Sequence, residues 1–290
     1  MQNLPKGACD GQIHIFGDPV KYPPRHLKPL YSPPPGEGTI EQALAMYNEL
    51  GIDRFIIVNA TIYAADASIL NDTLRSLPAG QARGVAIVDS TVSDRQLVEM
   101  HDAGVRGARF NFQTRFGLVP DFADFHRQVA RISEMGWIAK VFCGPEELAL
   151  IESELRKTNI TIVFDHMGQL PVERGLDQPG MKRLLNFLRD ERFWIMLSNG
   201  DHIAYQYPWN EVVPFGQAFY EAAPDRCIWG SDWPHVARWI SPRPRPYELH
   251  PTGAAGKLHL GLRYLPDESA VRKVFVDNPA RLFGFTNQYA

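Results

Sequence analysis

Eight short apolar segments recur along the chain, with room for a helix behind each of them, and this recurrence most constrains the fold. The predicted strands are 7–16, 53–60, 83–89, 107–112, 137–142, 161–166, 193–198 and 226–233. Helical patterns lie near 39–50, 64–77, 93–103, 122–135, 145–157, 179–190, 210–222 and 267–276. Segment 54–58 is continuously apolar after its first residue, as is typical of parallel strands covered on both faces. We therefore predict one α/β domain over residues 1–290, a (β/α)8 TIM barrel.

A doubly wound open sheet would also alternate strands and helices. Such a sheet places its ligand at one switch point, whereas here polar residues end nearly every predicted strand. A barrel brings all of those ends to one rim, so this pattern favours the barrel and predicts an active site there.

Two proline-rich stretches interrupt the alternation and follow the first and last strands. Residues 17–38 and 236–256 contain too many prolines for a regular helix. Because both leave the barrel at the rim where the site is expected, we predict long loops that form walls or lids over it.

Composition excludes several classes of function. The net charge of −3 argues against a nucleic-acid partner, and no apolar run is long enough to span a membrane. The N-terminus lacks a secretory pattern, so we expect a cytoplasmic protein. The cysteines Cys9, Cys143 and Cys227 have no metal-type spacing and are predicted to be small buried residues, with a nucleophilic Cys143 as the minor alternative.

Several local strings resemble the amidohydrolase superfamily, within it the amidohydrolase-2 subgroup of the 2-pyrone-4,6-dicarboxylate lactonases and D-galactarolactone isomerases. These strings are QIHIFG at 12–17, RGARFNF at 106–112, FDHMG at 164–168, WGSDWPH at 229–235 and DNPARLF at 277–283. The resemblance covers the whole chain and implies a barrel enzyme that acts on a lactone.

Gln12 departs from the family pattern in a way that bears on the cofactor. Many superfamily members have His-x-His at this strand, whereas this chain has Gln12 and His14. An amide is a poor ligand for zinc, which favours imidazole, thiolate and carboxylate. We therefore expect no metal cofactor, with a weak zinc site formed by His14, His166 and Asp232 as the alternative.

The resemblance also implies catalytic roles. Asp232 stands where the family has its general base, and a carboxylate can take a proton from water. His14 and His166 are then expected to donate hydrogen bonds to the lactone carbonyl. His235, three residues after Asp232, is expected to position that carboxylate. The other interpretations are a turn-capping aspartate and satisfied core histidines.

Substrate-binding residues are predicted on the same rim. Arg109 and Arg115 match arginines that hold substrate carboxylates, although an internal salt bridge for Arg109 and a solvated charge for Arg115 are open alternatives. The remaining predicted contacts are Thr61, Tyr31, Gln12, His235 and His202. Phe142 replaces a family tyrosine, and His202 stands near an expected arginine, which favours a substrate with fewer carboxylates or a sugar lactone.

Lys140 is the cation that needs a partner in this scheme. It shares strand parity with Phe142 and is expected to point into the barrel, where an unpaired ammonium is costly. Asp10 and Asp232 are its predicted partners.

We predict a lactone hydrolase that opens a carboxylated or sugar-acid lactone with water activated by Asp232. Three alternatives stay open: a lactone isomerase, a metal-dependent decarboxylase and a catalytically silent binding protein. The predicted partner is a small anionic lactone, and the sequence leaves a homo-oligomer open.

Overall fold

Eight parallel strands form a sheet in sequential order in this computed structural model, which describes residues 4–26, 28–31, 33–204, 206–240 and 253–286. The strands are β1 (Cys9–Ile13), β2 (Arg54–Val58), β3 (Ala82–Ile87), β4 (Val105–Asn111), β5 (Ile138–Phe142), β6 (Ile162–Phe164), β7 (Phe193–Leu197) and β8 (Cys227–Trp229). Their residues are almost all buried, which agrees with a sheet covered on both faces.

The first and last strands meet and close the barrel. The Asp232 N–H donates to the Gln12 carbonyl at 2.9 Å, and the His14 N–H donates to the Trp233 carbonyl at 2.7 Å. Sequential order with this seam is the topology of a (β/α)8 barrel, so the predicted fold is confirmed and the open sheet is excluded.

Helices cover the outside of the barrel. They are α1 (Ile40–Leu50), α2 (Ser68–Ser76), α3 (Asp94–Ala103), α4 (Phe122–Glu134), α5 (Pro145–Arg156), α6 (Pro179–Phe187), α7 (Gly200–Ala204), α8 (Val213–Ala222), α9 (Gly253–Leu262), α10 (Glu268–Arg272) and α11 (Asn278–Phe283). A capping box at Thr39 and Gln42 begins α1, and Ser93 with Gln96 begins α3 in the same way. Among the described residues, no helix is long and apolar enough to cross a membrane.

Three sequence predictions differ from the structure. Strand β8 ends at Trp229, so Asp232 lies in the turn after it rather than in the strand. Helix α9 lies partly inside the stretch that we predicted to be a loop, because its small apolar residues carry little amphipathic pattern. The last predicted helix extends through a π-helical turn at Lys273–Asp277 into α11.

The proline-rich stretches have different outcomes. Residues 17–38 form no regular helix or strand where the structure describes them, in agreement with a long loop. Most of the second stretch, with its four prolines, lies outside the described residues. The three cysteines are buried and free, and burial raises the pKa of the Cys143 thiol, which disfavours a nucleophilic thiolate.

Candidate active site

The three predicted catalytic side chains meet at the C-terminal ends of the strands. His14 follows β1, His166 follows β6 and Asp232 follows β8, and all three are buried. Nε2 of His14 lies 3.4 Å from Oδ1 of Asp232, and Nε2 of His166 lies 3.9 Å from the same oxygen. His166 and Asp232 have left-handed backbone conformations, with φ of 52° and 57°, which are costly for residues with a side chain and concentrate at functional sites.

Gln12 lies at the centre of this cluster and is fully enclosed by protein. Its Nε2 donates to Oδ1 of Asp232 at 2.9 Å and lies 3.2 Å from Nε2 of His166, while its Oε1 accepts from Nζ of Lys140. An ammonium can only donate, so this orientation of the amide is the one that the contacts allow. The polar atoms of Gln12, which was predicted to contact the substrate, are thus bound within the protein in this structure.

The hydrogen-bond partners of the two histidines determine their tautomers. Nδ1 of His14 donates to the Val58 carbonyl at 2.8 Å, so Nε2 is the ring nitrogen that faces Asp232. Nε2 of His166 accepts from the amide of Gln12, so its Nδ1 donates to Ser198 Oγ at 2.7 Å. Burial lowers the pKa of His166 to about 3, so this ring is neutral. Nε2 of His166 therefore accepts a hydrogen bond in this arrangement, whereas the sequence predicted it to donate one to a carbonyl.

The carboxylate of Asp232 is held from both sides. Gln12 donates to Oδ1, and Nδ2 of Asn199 donates to Oδ2 at 2.7 Å. Burial by itself raises the pKa of this carboxyl, but the hydrogen bond and charge of His14 and the ammonium of Lys257 outweigh burial and hold the pKa well below its usual range. Asp232 is therefore a fixed anion with lone pairs left for a further proton donor, such as water.

Lys140 and Arg109 share one buried aspartate. Nζ of Lys140 lies 3.1 Å from Oδ1 of Asp165, and Nε of Arg109 donates to Oδ2 at 3.0 Å. The predicted partners of Lys140, Asp10 and Asp232, are thus wrong, because Asp165 follows the adjacent strand β6 and reaches the ammonium directly. For Arg109, this ion pair is the alternative that the sequence left open.

An aromatic pair brings the two arginines together. The guanidinium of Arg109 lies 4.7 Å from the ring centroid of Phe142, and that of Arg115 lies 5.0 Å from that of Phe116. The two rings contact each other at 5.4 Å between centroids, and Phe142 also packs edge-on against His166. Arg115 is exposed and Arg109 is buried, so one arginine lies outside the other along the same wall.

A cavity of about 330 Å³ lies beside the ends of β3 and β4. Arg109, Thr61 and Asn111 line its inner part. The hydroxyl of Thr61 donates to that of Tyr31 at 3.1 Å, and burial raises the pKa of Tyr31 to about 12. Tyr31 therefore keeps its proton and can donate it as a hydrogen bond.

His235 and His202 lie on the part of the rim that follows β8 and β7. Both ring nitrogens of His235 are buried and have no hydrogen-bond partner among the residues that the structure describes. The His235 imidazole thus makes no hydrogen bond to Asp232, but the His235 backbone N–H donates to the Asp232 carbonyl at 2.9 Å. Nε2 of His202 lies 3.8 Å from Oδ2 of Asp201, and burial lowers the pKa of the His202 imidazole. This side of the rim offers a neutral ring where an arginine was expected.

The donor set does not fit a metal ion as it is arranged. The lone pairs of His166 Nε2 and Asp232 Oδ1, which a cation would need, face the amide hydrogens of Gln12. Within the described part of the chain, no three histidine, cysteine or carboxylate side chains are grouped so that they could hold an ion.

Four polar residues of the cluster were not among the predicted site residues. Asp165 directly follows β6 and Asn199 is the second residue after β7, positions that sequence alone could have singled out. Lys257 and Asp201 form an ion pair of 3.0 Å from α9 and α7, and their pairing had no sequence signal.

Comparisons with known proteins show which family the chain resembles. A family model described as Amidohydrolase matches residues 10–285. The chain is 31% identical over 283 residues to a 4-sulfomuconolactone hydrolase from Rhizobium radiobacter, covering 97% of this chain and 91% of the relative. It is 32% identical over 295 residues to a 2-pyrone-4,6-dicarboxylate hydrolase from Comamonas testosteroni, covering 97% and 91%.

Solved structures have the same fold. The crystal structure of a putative 2-pyrone-4,6-dicarboxylic acid hydrolase from Pseudomonas putida superposes with a TM-score of 0.82. The match covers 98% of this chain and all of the other, with 24% identity. At this identity the superposition bears on the barrel and not on the substrate.

Proposed function

The chain belongs to the amidohydrolase family, and from this premise we propose that it hydrolyses a lactone that carries an anionic group, without a metal cofactor. The observation that carries the proposal is the fixed carboxylate of Asp232, 3.4 Å from Nε2 of His14. Both relatives described above are hydrolases named for lactone-type substrates, which supports the same reaction class.

In the proposed reaction, Asp232 takes a proton from water as the water oxygen attacks the lactone carbonyl carbon. Tyr31 and Arg109 are the donors that can stabilise the oxyanion, since Tyr31 keeps its proton and lies within the electrostatic reach of both Arg109 and Asp232. This assignment replaces the two histidines as the groups that polarise the carbonyl.

The proton then has a defined route to the leaving group. His14 Nε2 and Asp232 Oδ1 are at ion-pair distance, so the proton taken from water can pass to His14. When the tetrahedral intermediate collapses, the ring C–O bond breaks and the leaving oxygen receives this proton. The products are one carboxylic acid group and one hydroxyl group on the same open chain.

The substrate class follows from the charges on the two sides of the rim. Arg109 and Arg115 form a cationic wall on the aromatic pair, and a guanidinium binds a carboxylate or sulfonate with parallel hydrogen bonds. His202 on the other side is neutral. We therefore propose a substrate with one anionic group beside the lactone ring rather than two anionic groups on opposite sides.

A lactone screen tests the proposal. Five- and six-membered lactones with one carboxylate, one sulfonate, two carboxylates or no charge are assayed by proton release, with elemental analysis of the same protein preparation. We expect turnover of a singly charged lactone, undiminished after chelator treatment. We also expect Asp232→Asn to lower kcat by about 10³-fold or more, on the order of 4 kcal/mol.

Two results would overturn the proposal. Turnover that requires one equivalent of bound metal would favour the decarboxylase alternative. Binding of an anionic lactone without any turnover, equal in the parent and in Asp232→Asn, would favour the silent binding protein.

A further inference from the structure

Two amide side chains connect Asp232 to two buried lysines in the same manner on its two sides. On one side, Lys140 donates to Oε1 of Gln12, and Nε2 of Gln12 donates to Oδ1 of Asp232 at 2.9 Å. On the other side, Lys257 donates to Oδ1 of Asn199 at 3.1 Å, and Nδ2 of Asn199 donates to Oδ2 of Asp232 at 2.7 Å. Each carboxylate oxygen thus has its own amide, and each amide has its own ammonium.

Each lysine is anchored at a second aspartate. Lys140 lies 3.1 Å from Asp165, and Lys257 lies 3.0 Å from Asp201. The lysine side chains are 0% and 5% exposed, so neither ammonium group is hydrated by bulk solvent. A buried ammonium without such partners would be expensive, which means that the arrangement is stable only as a connected network.

The lysines determine the orientation of the amides. An ammonium is only a donor, so the amide oxygen must face the lysine and the amide NH2 group must face Asp232. Without the lysine, an amide can rotate by half a turn and present its oxygen to the carboxylate, which would repel it. The remaining lone pairs of Asp232 are then no longer aimed at His14 and at the attacking water.

We propose that Lys140 and Lys257 are positioning residues, each of which holds one oxygen of the Asp232 carboxylate in its reactive orientation through one amide. The inference rests on the proposed function in taking Asp232 as the general base. The other ionisable groups around this carboxylate are His14, His166, His202, His235 and Tyr31.

A double-mutant cycle tests the connection through Asn199. The four proteins are the parent, Lys257→Met, Asn199→Ala and the double variant. We expect Lys257→Met to lower kcat about 10–100-fold with KM changed less than about threefold, because the arginine wall is intact. In the Asn199→Ala background the same substitution is expected to lower kcat less than about threefold, since the lysine has lost the amide through which it acts. Lys257→Met also removes the ion-pair partner of Asp201. This loss occurs in both backgrounds, so it cancels when the two changes in kcat are compared.

The same cycle with Lys140→Met and Gln12→Ala tests the other side. Lys273→Met is the matched control, because Lys273 also pairs with an aspartate, Asp225 at 2.7 Å, but on the outside of the barrel. We expect kcat of this control to equal that of the parent. If Lys140→Met does not fold, the Lys257 cycle decides, since Lys257 lies on α9 rather than in the barrel sheet.

Three outcomes separate this inference from the proposed function. An equal loss of kcat in both backgrounds, or a loss confined to KM, overturns the inference while lactone hydrolysis stands. If the parent opens no lactone, the proposed function fails, and urea unfolding of the same four proteins tests the network by itself. If the changes in unfolding free energy caused by the two substitutions are not additive, the lysine–amide connection is supported. If they are additive, it is overturned.

Discussion

At the scale of single residues, Asp10 is a buried carboxylate that connects the backbone segments on which the site is built. Its Oδ1 accepts from the backbone N–H groups of Gln12 at 3.1 Å and Ser231 at 2.9 Å, and its Oδ2 accepts from the Tyr47 hydroxyl at 3.3 Å. Burial raises the pKa of Asp10 to about 6, above the value of about 3.9 for an exposed aspartate. One carboxylate therefore joins β1 to the segment that carries Asp232.

This raised pKa has a definite effect on stability. Between about pH 4 and pH 6 the folded chain binds a proton at Asp10 more readily than the unfolded chain, so the contribution of this group to stability falls as the pH rises. Above that window the buried charge costs on the order of 3 kcal/mol.

We expect Asp10→Asn to be more stable than the parent at pH 8, by on the order of 2 kcal/mol. The amide oxygen can keep both backbone hydrogen bonds and the amide nitrogen can donate to Tyr47, while the buried charge is removed. Urea unfolding at pH 4.5 and pH 8 measures the difference, which we expect to be small at pH 4.5. A variant that is less stable than the parent at pH 8 would refute this account.

At the scale of the elements, the seam between β1 and β8 supports the catalytic geometry. Gln12 and Asp232 face each other across it through a backbone hydrogen bond of 2.9 Å. Gly11 precedes Gln12 on β1, and a Cβ at this position would lie only 2.7 Å from the carbonyl oxygen of Trp229 on β8. The two strands approach as closely as they do because Gly11 has no side chain.

Gly11→Ala is therefore expected to separate β1 from β8. We expect a loss of about 1–3 kcal/mol in unfolding free energy, and a fall in kcat at temperatures where the variant is fully folded. Gly107→Ala on β4 is the matched control, because its Cβ would lie 3.1 Å from the nearest carbonyl oxygen and far from this seam. Equal effects of the two substitutions on kcat would show that the seam has no special role.

The elements also show how far the sequence could predict this molecule. Runs such as 54–58 identified the strands because short continuous apolar segments are typical of parallel strands covered on both faces. The strand order followed from the repeated alternation of strand and helix. Helix α9 was missed because Gly253, Gly256 and Gly261 weaken its helical pattern. Convergence of His14, His166 and Asp232 was predictable because strand ends share one rim. The partners of Lys140 were not, because a hydrogen-bond network depends on side-chain reach that no spacing encodes.

At the scale of the whole molecule, groups separated by more than 200 residues form one buried polar cluster. Gln12 lies on the first strand, Asp232 lies in the turn after the last, and Lys140 on β5 reaches Gln12 from the opposite side of the barrel. Only a closed barrel brings β1, β5 and β8 to a common centre. The barrel thus provides a carboxylate whose charge and orientation are set entirely by protein groups.

The most direct test of the central claim is oxygen-isotope incorporation from H₂¹⁸O during turnover of the lactone that the screen identifies. If water activated by Asp232 opens the ring, one ¹⁸O atom appears in the carboxylate of the product for each turnover, and Asp232→Asn lowers the rate of incorporation in proportion to kcat. A rearranged lactone without ¹⁸O would contradict the account, because it would mean that a hydroxyl of the substrate, and not water, attacks the carbonyl.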